Sequence, residues 1–146
     1  MKATYLEKYS RMFEPLTIRR GRNEFVFNNR VMMAPVGICA TRGGADNGRI
    51  NAFGVDYWTG IIRGGFSAVT LPMEVPENGS HDGVFNMNPK EFNYMNLHLL
   101  QRSVHSYNGK TFAELIHGGR CMIRTDIPLL GASDSEYQGR HVKGMD

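Results

Sequence analysis

The chain is poor in cysteine, with only Cys39 and Cys121 in 146 residues. Two thiols so far apart make neither a disulfide framework nor a metal knuckle, and they suit a reducing cytoplasm. Long apolar runs are also missing. None approaches the roughly 20 residues needed to cross a bilayer, and Met1–Arg20 has no apolar signal core, so no membrane partner is expected. Excess charge is small. The net charge is +3 and the basic residues are scattered. Without a basic stripe and interleaved aromatics, no nucleic-acid partner is expected either. Neither G-x-G-x-x-G nor G-x-x-x-x-G-K-[ST] occurs, so Gly43, Gly44 and Gly48 read as turn residues. Internal repeats and low-complexity tracts are absent. The remainder is 41% hydrophobic and 21% charged, enough for one modest core.

The stretch Asn29–Gly37 organises what is there. Val31, Met32, Met33 and Ala34 form a short apolar run without helical period, as in a parallel strand covered on both faces. Pro35 ends it, and Gly37 would let a flat ligand approach the backbone. The plain alternative is a core strand followed by an ordinary turn. Before this run, Met1–Glu14 reads as a docking arm. Leu16–Ile18 and Phe25–Phe27 flank a polar loop, the pattern of a β-hairpin.

After a loop over 38–49, Asn51 is a candidate cap for a helix. Phe53, Tyr57 and Ile61 make its apolar stripe, widened by Val55, Trp58 and Ile62. Gly64-Gly65 stops it. Phe66–Leu71 is a second strand, ended by Pro72. A loop over 73–87 precedes a helix with Asn88 as cap, Pro89 at its first position and Glu91 three residues after the cap. Leu97, Leu100, Val104 and Tyr107 share its inner face, and Asn108-Gly109 closes it. Thr111–Ile116 is a third strand. From Cys121 to Asp146 no period is sustained, and the segment reads as a long loop.

The domain reading is therefore an arm and hairpin over 1–28, three βα-type units over 29–120, and the loop over 121–146. Alternating strands and helices imply parallel pairing. Two architectures fit: a small doubly wound sheet, or the first part of a (β/α)8 barrel, which needs roughly 250 residues. An incomplete barrel leaves raw sheet edges. Such a chain is expected to be unstable alone or to take a partner, including another copy of itself.

Candidate chemistry is sparse. His98 and His105 lie seven apart in sequence, about 10 Å along a helix and too far for one metal ion. Both read as surface residues, and no metal-ligand set emerges. His81-Asp82 is a conceivable catalytic pair in what reads as a solvated loop. Glu74 and Glu77 are close in sequence, but nothing marks them as an acid/base pair. Glu114 stands inside an apolar strand, where an unpartnered carboxylate is costly. His117 and Arg120 follow just beyond. A structural ion pair and a polar site at a barrel mouth are both open readings.

Three spaced motifs are together more specific than any one of them. Phe13-Glu14-Pro15-Leu16-Thr17-Ile18, then Asn29-Arg30-Val31-Met32-Met33-Ala34-Pro35, then His117-Gly118-Gly119-Arg120 resemble the old yellow enzyme family. Tyr57-Trp58 and Arg63-Gly64-Gly65 add to the likeness. Within the family the chain looks most like the branch of NADH-dependent flavin oxidoreductases that includes 2,4-dienoyl-CoA reductase, enoate reductases and bile-acid-inducible reductases. The match is to the family's N-terminal part, about three of eight barrel units.

The resemblance implies an FMN-binding TIM barrel, α/β in class, with the hairpin closing its bottom. Ala34, Pro35, Val36 and Gly37 would lie against the isoalloxazine ring, with Pro72 and Met73 alongside. Glu114 stands where the family usually offers a glutamine to the flavin pyrimidine. An ionised glutamate only accepts hydrogen bonds, so that contact is altered here. Gly37 replaces a larger residue beside the flavin. His117 and Arg120 are the substrate-side candidates. The implied reaction is ene-reduction: hydride passes from NADH or NADPH through the flavin to an activated C=C of a small unsaturated carbonyl compound. The family's catalytic residues, and in this branch its FAD region and 4Fe–4S cluster, come later than Asp146. The chain is thus expected to be an N-terminal fragment, inactive alone. The alternative is a non-catalytic half-barrel that binds flavin or a partner chain.

Overall fold

A computed structural model describes residues 5–36, 50–74, 85–86, 94–121 and 128–145. The arm forms two short helices, α1 (Tyr5–Lys8) and α2 (Ser10–Phe13). The expected hairpin follows as β1 (Leu16–Arg20) and β2 (Asn23–Phe27), paired antiparallel with Leu16 opposite Phe27 and Ile18 opposite Phe25. Its strands run further into the polar stretch than the apolar residues alone suggest. Gly21 has a φ of +60°, which allows a reversal tight enough for Arg20 to face Asn23.

The central sheet is parallel. β3 (Met32–Met33) pairs with β4 (Ala68–Glu74), and β4 pairs along its whole length with β6 (Lys110–Ile116). The two-residue strand β5 (Phe85–Asn86) joins β4 at Met73 and Glu74. Helix α3 (Ala52–Arg63) connects β3 to β4, and α4 (Tyr94–Ser106) connects β4 to β6. Asn51 caps α3 as expected, its Oδ1 accepting from the Gly54 N–H at 2.9 Å. Gly65, at φ +106°, ends that helix. The cap expected at Asn88, with Pro89 and Glu91, lies outside the described residues.

The core sits between the sheet and its helices. Val69, Leu71 and Met73 of β4 pack against Trp58 and Ile62 of α3 and Leu100 and Val104 of α4. Strand alternation puts Thr70 and Pro72 on the opposite face, together with their register partners Phe112 and Glu114. There Phe27 of the hairpin stacks on Phe112, 6.1 Å between ring centroids. The hairpin therefore packs against the face the helices leave free. Gly109 passes so close to α3 that a Cβ on it would lie 2.7 Å from Ile62 Cγ2.

Several expectations need correction. The anchor strand is two residues long, and Met32 is 51% exposed; it is an edge strand with one face uncovered. Pro72 does not end β4 but lies within it. β3 pairs only to Val69 and β5 begins at Met73, so that edge of β4 has no ladder partner at Pro72. The buried face of α3 is centred on Trp58 and Ile62, while Phe53 is 61% exposed. The largest apolar side chain sets the rotation of the helix. Tyr107 lies beyond α4, exposed beneath the Arg63 guanidinium.

The last segment is not a plain loop. A 3₁₀ turn (Gly119–Cys121) leads toward a second sheet of β7 (Leu129–Gly131), β8 (Ser135–Tyr137) and β9 (Arg140–Gly144), with β9 in the middle. Leu129 and Val142 form its small core, with Tyr137 against them. Strands of three to five residues are too short to register as a period, and here they pair around a tight turn. Gln138 and Gly139 both have positive φ, 51° and 72°, the geometry of a two-residue hairpin loop.

Candidate functional site

Parallel pairing brings the C-terminal ends of β3, β4 and β6 to one end of the sheet. Ala34, Pro35 and Val36 leave β3 there, with Ala34 and Val36 exposed. Pro72 is buried near the end of β4, and Glu114 is its register partner on β6. Four of the cofactor-side residues therefore follow or flank the strand ends, and a fifth, Glu114, joins them. Met73 is different: its side chain belongs to the helix-side core and is 5% exposed. Only its main chain is left to face a ligand. Gly37 lies outside the described residues, as do Cys39, Glu77, His81 and Asp82.

Glu114 is exposed. The expectation of a buried carboxylate is corrected: β6 is the outer strand of the sheet, and among the described residues nothing covers it on this face at that level. Among the described residues no ion pair or hydrogen bond engages it. The structural ion-pair reading thus finds no partner there.

His117 is half-buried just past β6. Its Nδ1 accepts from the Gly119 N–H at 3.0 Å, so the neutral ring carries its proton on Nε2. That Nε2 is buried, and among the described residues it has no hydrogen-bond partner. Gly119, at φ +57°, provides the bend that turns its N–H back to the ring. Arg120 is exposed, with its guanidinium carbon 5.3 Å from the centre of the Tyr137 ring. This stack ties the small sheet to the end of β6. His98 and His105 are exposed on α4, as expected, and Cys121 is a free exposed thiol. Among the described residues no group of side chains could hold a metal ion.

Two positioning residues were not singled out by sequence reasoning. Asn29 donates from Nδ2 to the Gly65 carbonyl at 2.8 Å and accepts at Oδ1 from the Val31 N–H at 2.9 Å. Ser67 donates from Oγ to the Val31 carbonyl at 2.9 Å. Both fix where β3 enters the sheet, and hence where Ala34–Val36 emerge. Asn29 stands at the head of the anchor motif, the one signal that pointed to it. Ser67 carried none.

Parallel strands whose helices lie on one face have the arrangement of part of a (β/α) barrel. No protein-family model and no curated protein sequence matches the chain. Solved structures do. The chain superposes on Old Yellow Enzyme from Pichia sp. AKU4542 with a TM-score of 0.69 at 14% identity, covering 93% of this chain and 38% of that one. It superposes on 2-naphthoyl-CoA reductase bound to 2-naphthoyl-CoA with a TM-score of 0.70 at 14% identity, covering 94% and 23%. A third match is TcOYE with pHBA, at 0.59 and 20% identity, covering 79% and 30%. The chain has the fold of part of an Old Yellow Enzyme-type TIM barrel and spans 23% to 38% of the length of these structures. The doubly wound alternative is set aside. Among the described residues, no helix is long and apolar enough to cross a membrane.

Proposed function

We propose that this chain is part of an FMN-dependent ene-reductase. In this reading, hydride from NADH or NADPH reaches an activated C=C of an enoate, enoyl-CoA or steroid-type substrate. The carrying observation is that Ala34–Val36 after β3, Pro72 in β4 and Glu114 in β6 lie toward the same end of one parallel sheet, in a fold shared with flavin reductases. FMN, when bound, supplies the chemistry by accepting a hydride and handing it on.

The residues present fit one side of that cofactor. Ala34 and Val36 are exposed just past β3, and Pro72 lies buried near the end of β4. Glu114 offers an acceptor with no competing partner among the described residues. His117 follows β6 at that end, with its Nδ1 accepting from the Gly119 N–H. The Arg120–Tyr137 stack gives that end a rigid border. Two distant cysteines suit a reducing cytoplasm.

The test is anaerobic and is made on the whole natural gene product that carries this chain, since the chain by itself is expected to be inactive. Protein is loaded with FMN, mixed with NADH or NADPH, and flavin bleaching is followed before and after addition of an α,β-unsaturated carbonyl compound. Bleaching followed by reoxidation on addition supports the reading. FMN binding without either step favours a second reading, a half-barrel that binds flavin or a partner chain. The uncovered β6 favours that alternative, since Leu115 is 71% exposed. Binding of a covering chain, including a second copy, would then account for the chain.

A further inference from the structure

Glu114 is exposed near the end of β6. It lies on the face opposite the helices, with buried Pro72 as its register partner, two residues before β6 ends. Nothing among the described residues neutralises it. Lys110, on the same face of the same strand, is four residues away, about 13 Å along an extended chain and beyond the screening length of physiological salt. The Arg120 guanidinium is stacked on Tyr137, and the one bonded nitrogen of His117 is engaged with Gly119.

Such a carboxylate imposes two conditions on what binds against it. It accepts hydrogen bonds and donates none, so the facing ligand edge must present an N–H or O–H. A bare carbonyl there would be repelled. It also carries a negative charge, and a ligand seated against it would itself exclude water from the contact, so that charge interactions there exceed those in bulk water.

We propose that Glu114 makes this site discriminate against negative charge on its ligand, so that a bound flavin is held at a lower reduction potential than a neutral side chain would give. The proposal rests on the ene-reductase reading above. A hydride from the nicotinamide brings two electrons and one proton. Unless a second proton follows, the ligand then carries one more negative charge than before. Glu114 opposes that charge, so the oxidised form binds more tightly relative to the reduced form. The donor is thereby a strong one toward an activated C=C, and its own reduction by the nicotinamide is less downhill.

The experiment measures the midpoint potential of bound FMN by dye equilibration in the wild type and in Glu114→Gln, Glu114→Leu and Glu114→Asp. Gln keeps the shape and removes the charge; Leu removes both charge and hydrogen bond; Asp keeps the charge. The expected result is a positive shift in Gln and Leu by about tenfold in relative affinity, ~30 mV for a two-electron couple, with Asp near wild type. A purely structural role would shift Leu and Asp alike and leave Gln unmoved. Bound FMN with an unchanged or more negative potential in both Gln and Leu overturns the proposal and leaves the ene-reductase reading standing. Failure of the wild type and all variants to bind FMN overturns both.

Discussion

Asn29 joins two pieces of backbone 34 residues apart, Gly65 just past α3 and Val31 just before β3. Each hydrogen bond contributes on the order of 1 kcal/mol net. Asn29→Ala is expected to lower stability by about 1–2 kcal/mol and to weaken ligand binding, because Ala34–Val36 emerge from the strand it positions; thermal melts and FMN titration measure the two effects. Gly109 is a steric requirement of another kind. A methyl at 2.7 Å from Ile62 Cγ2 forces repacking, so Gly109→Ala should cost about 1–3 kcal/mol. Paired with Ile62→Ala, which opens the space, the combined loss should fall short of the sum of the two single losses in denaturant unfolding. Additive losses would show that the close approach is not the cause.

At the scale of elements, the βαβ pattern was legible because each signal had a local cause. Asn51 caps, Gly64-Gly65 stops, and Trp58 and Ile62 mark a buried face. What was not legible depends on partners. Val31–Ala34 reads as a buried strand from composition alone, but only Met32 and Met33 pair, since β3 is an edge. Glu114 reads as buried because its neighbours are apolar, yet β6 is the outer strand. The C-terminal sheet escapes periodicity, since β7 and β8 have three residues each. Its turn was the usable signal. Gly139, at φ +72°, should resist substitution: Gly139→Ala costs about 1–2 kcal/mol locally. Hydrogen exchange is then expected to quicken in Ser135–Gly144 and to stay unchanged in β4. A uniform change would mean that the small sheet is not a separate packing unit.

For the whole molecule, the dominant fact is an uncovered β6. Ala113 and Leu115 on one face and Phe112 and Glu114 on the other are all exposed, and the outer edge of β6 has no strand beside it among the described residues. Edges of this kind promote association. Leu115→Lys is expected to reduce self-association and hydrophobic-dye binding, as read by sedimentation and dye fluorescence, without lowering the melting temperature. A fall in the melting temperature would mean that Leu115 already packs against something. The other face carries the central claim, that Ala34, Pro72 and Glu114 form one wall of a flavin site. The direct measurement is FMN titration followed by visible absorbance, in the wild type and in Ala34→Trp, where an indole would fill the space beside the strand end. The account predicts one FMN per chain and at least about a tenfold weaker affinity in the variant, roughly 1.4 kcal/mol. Equal affinity in both proteins, or no binding by the wild type, would contradict it.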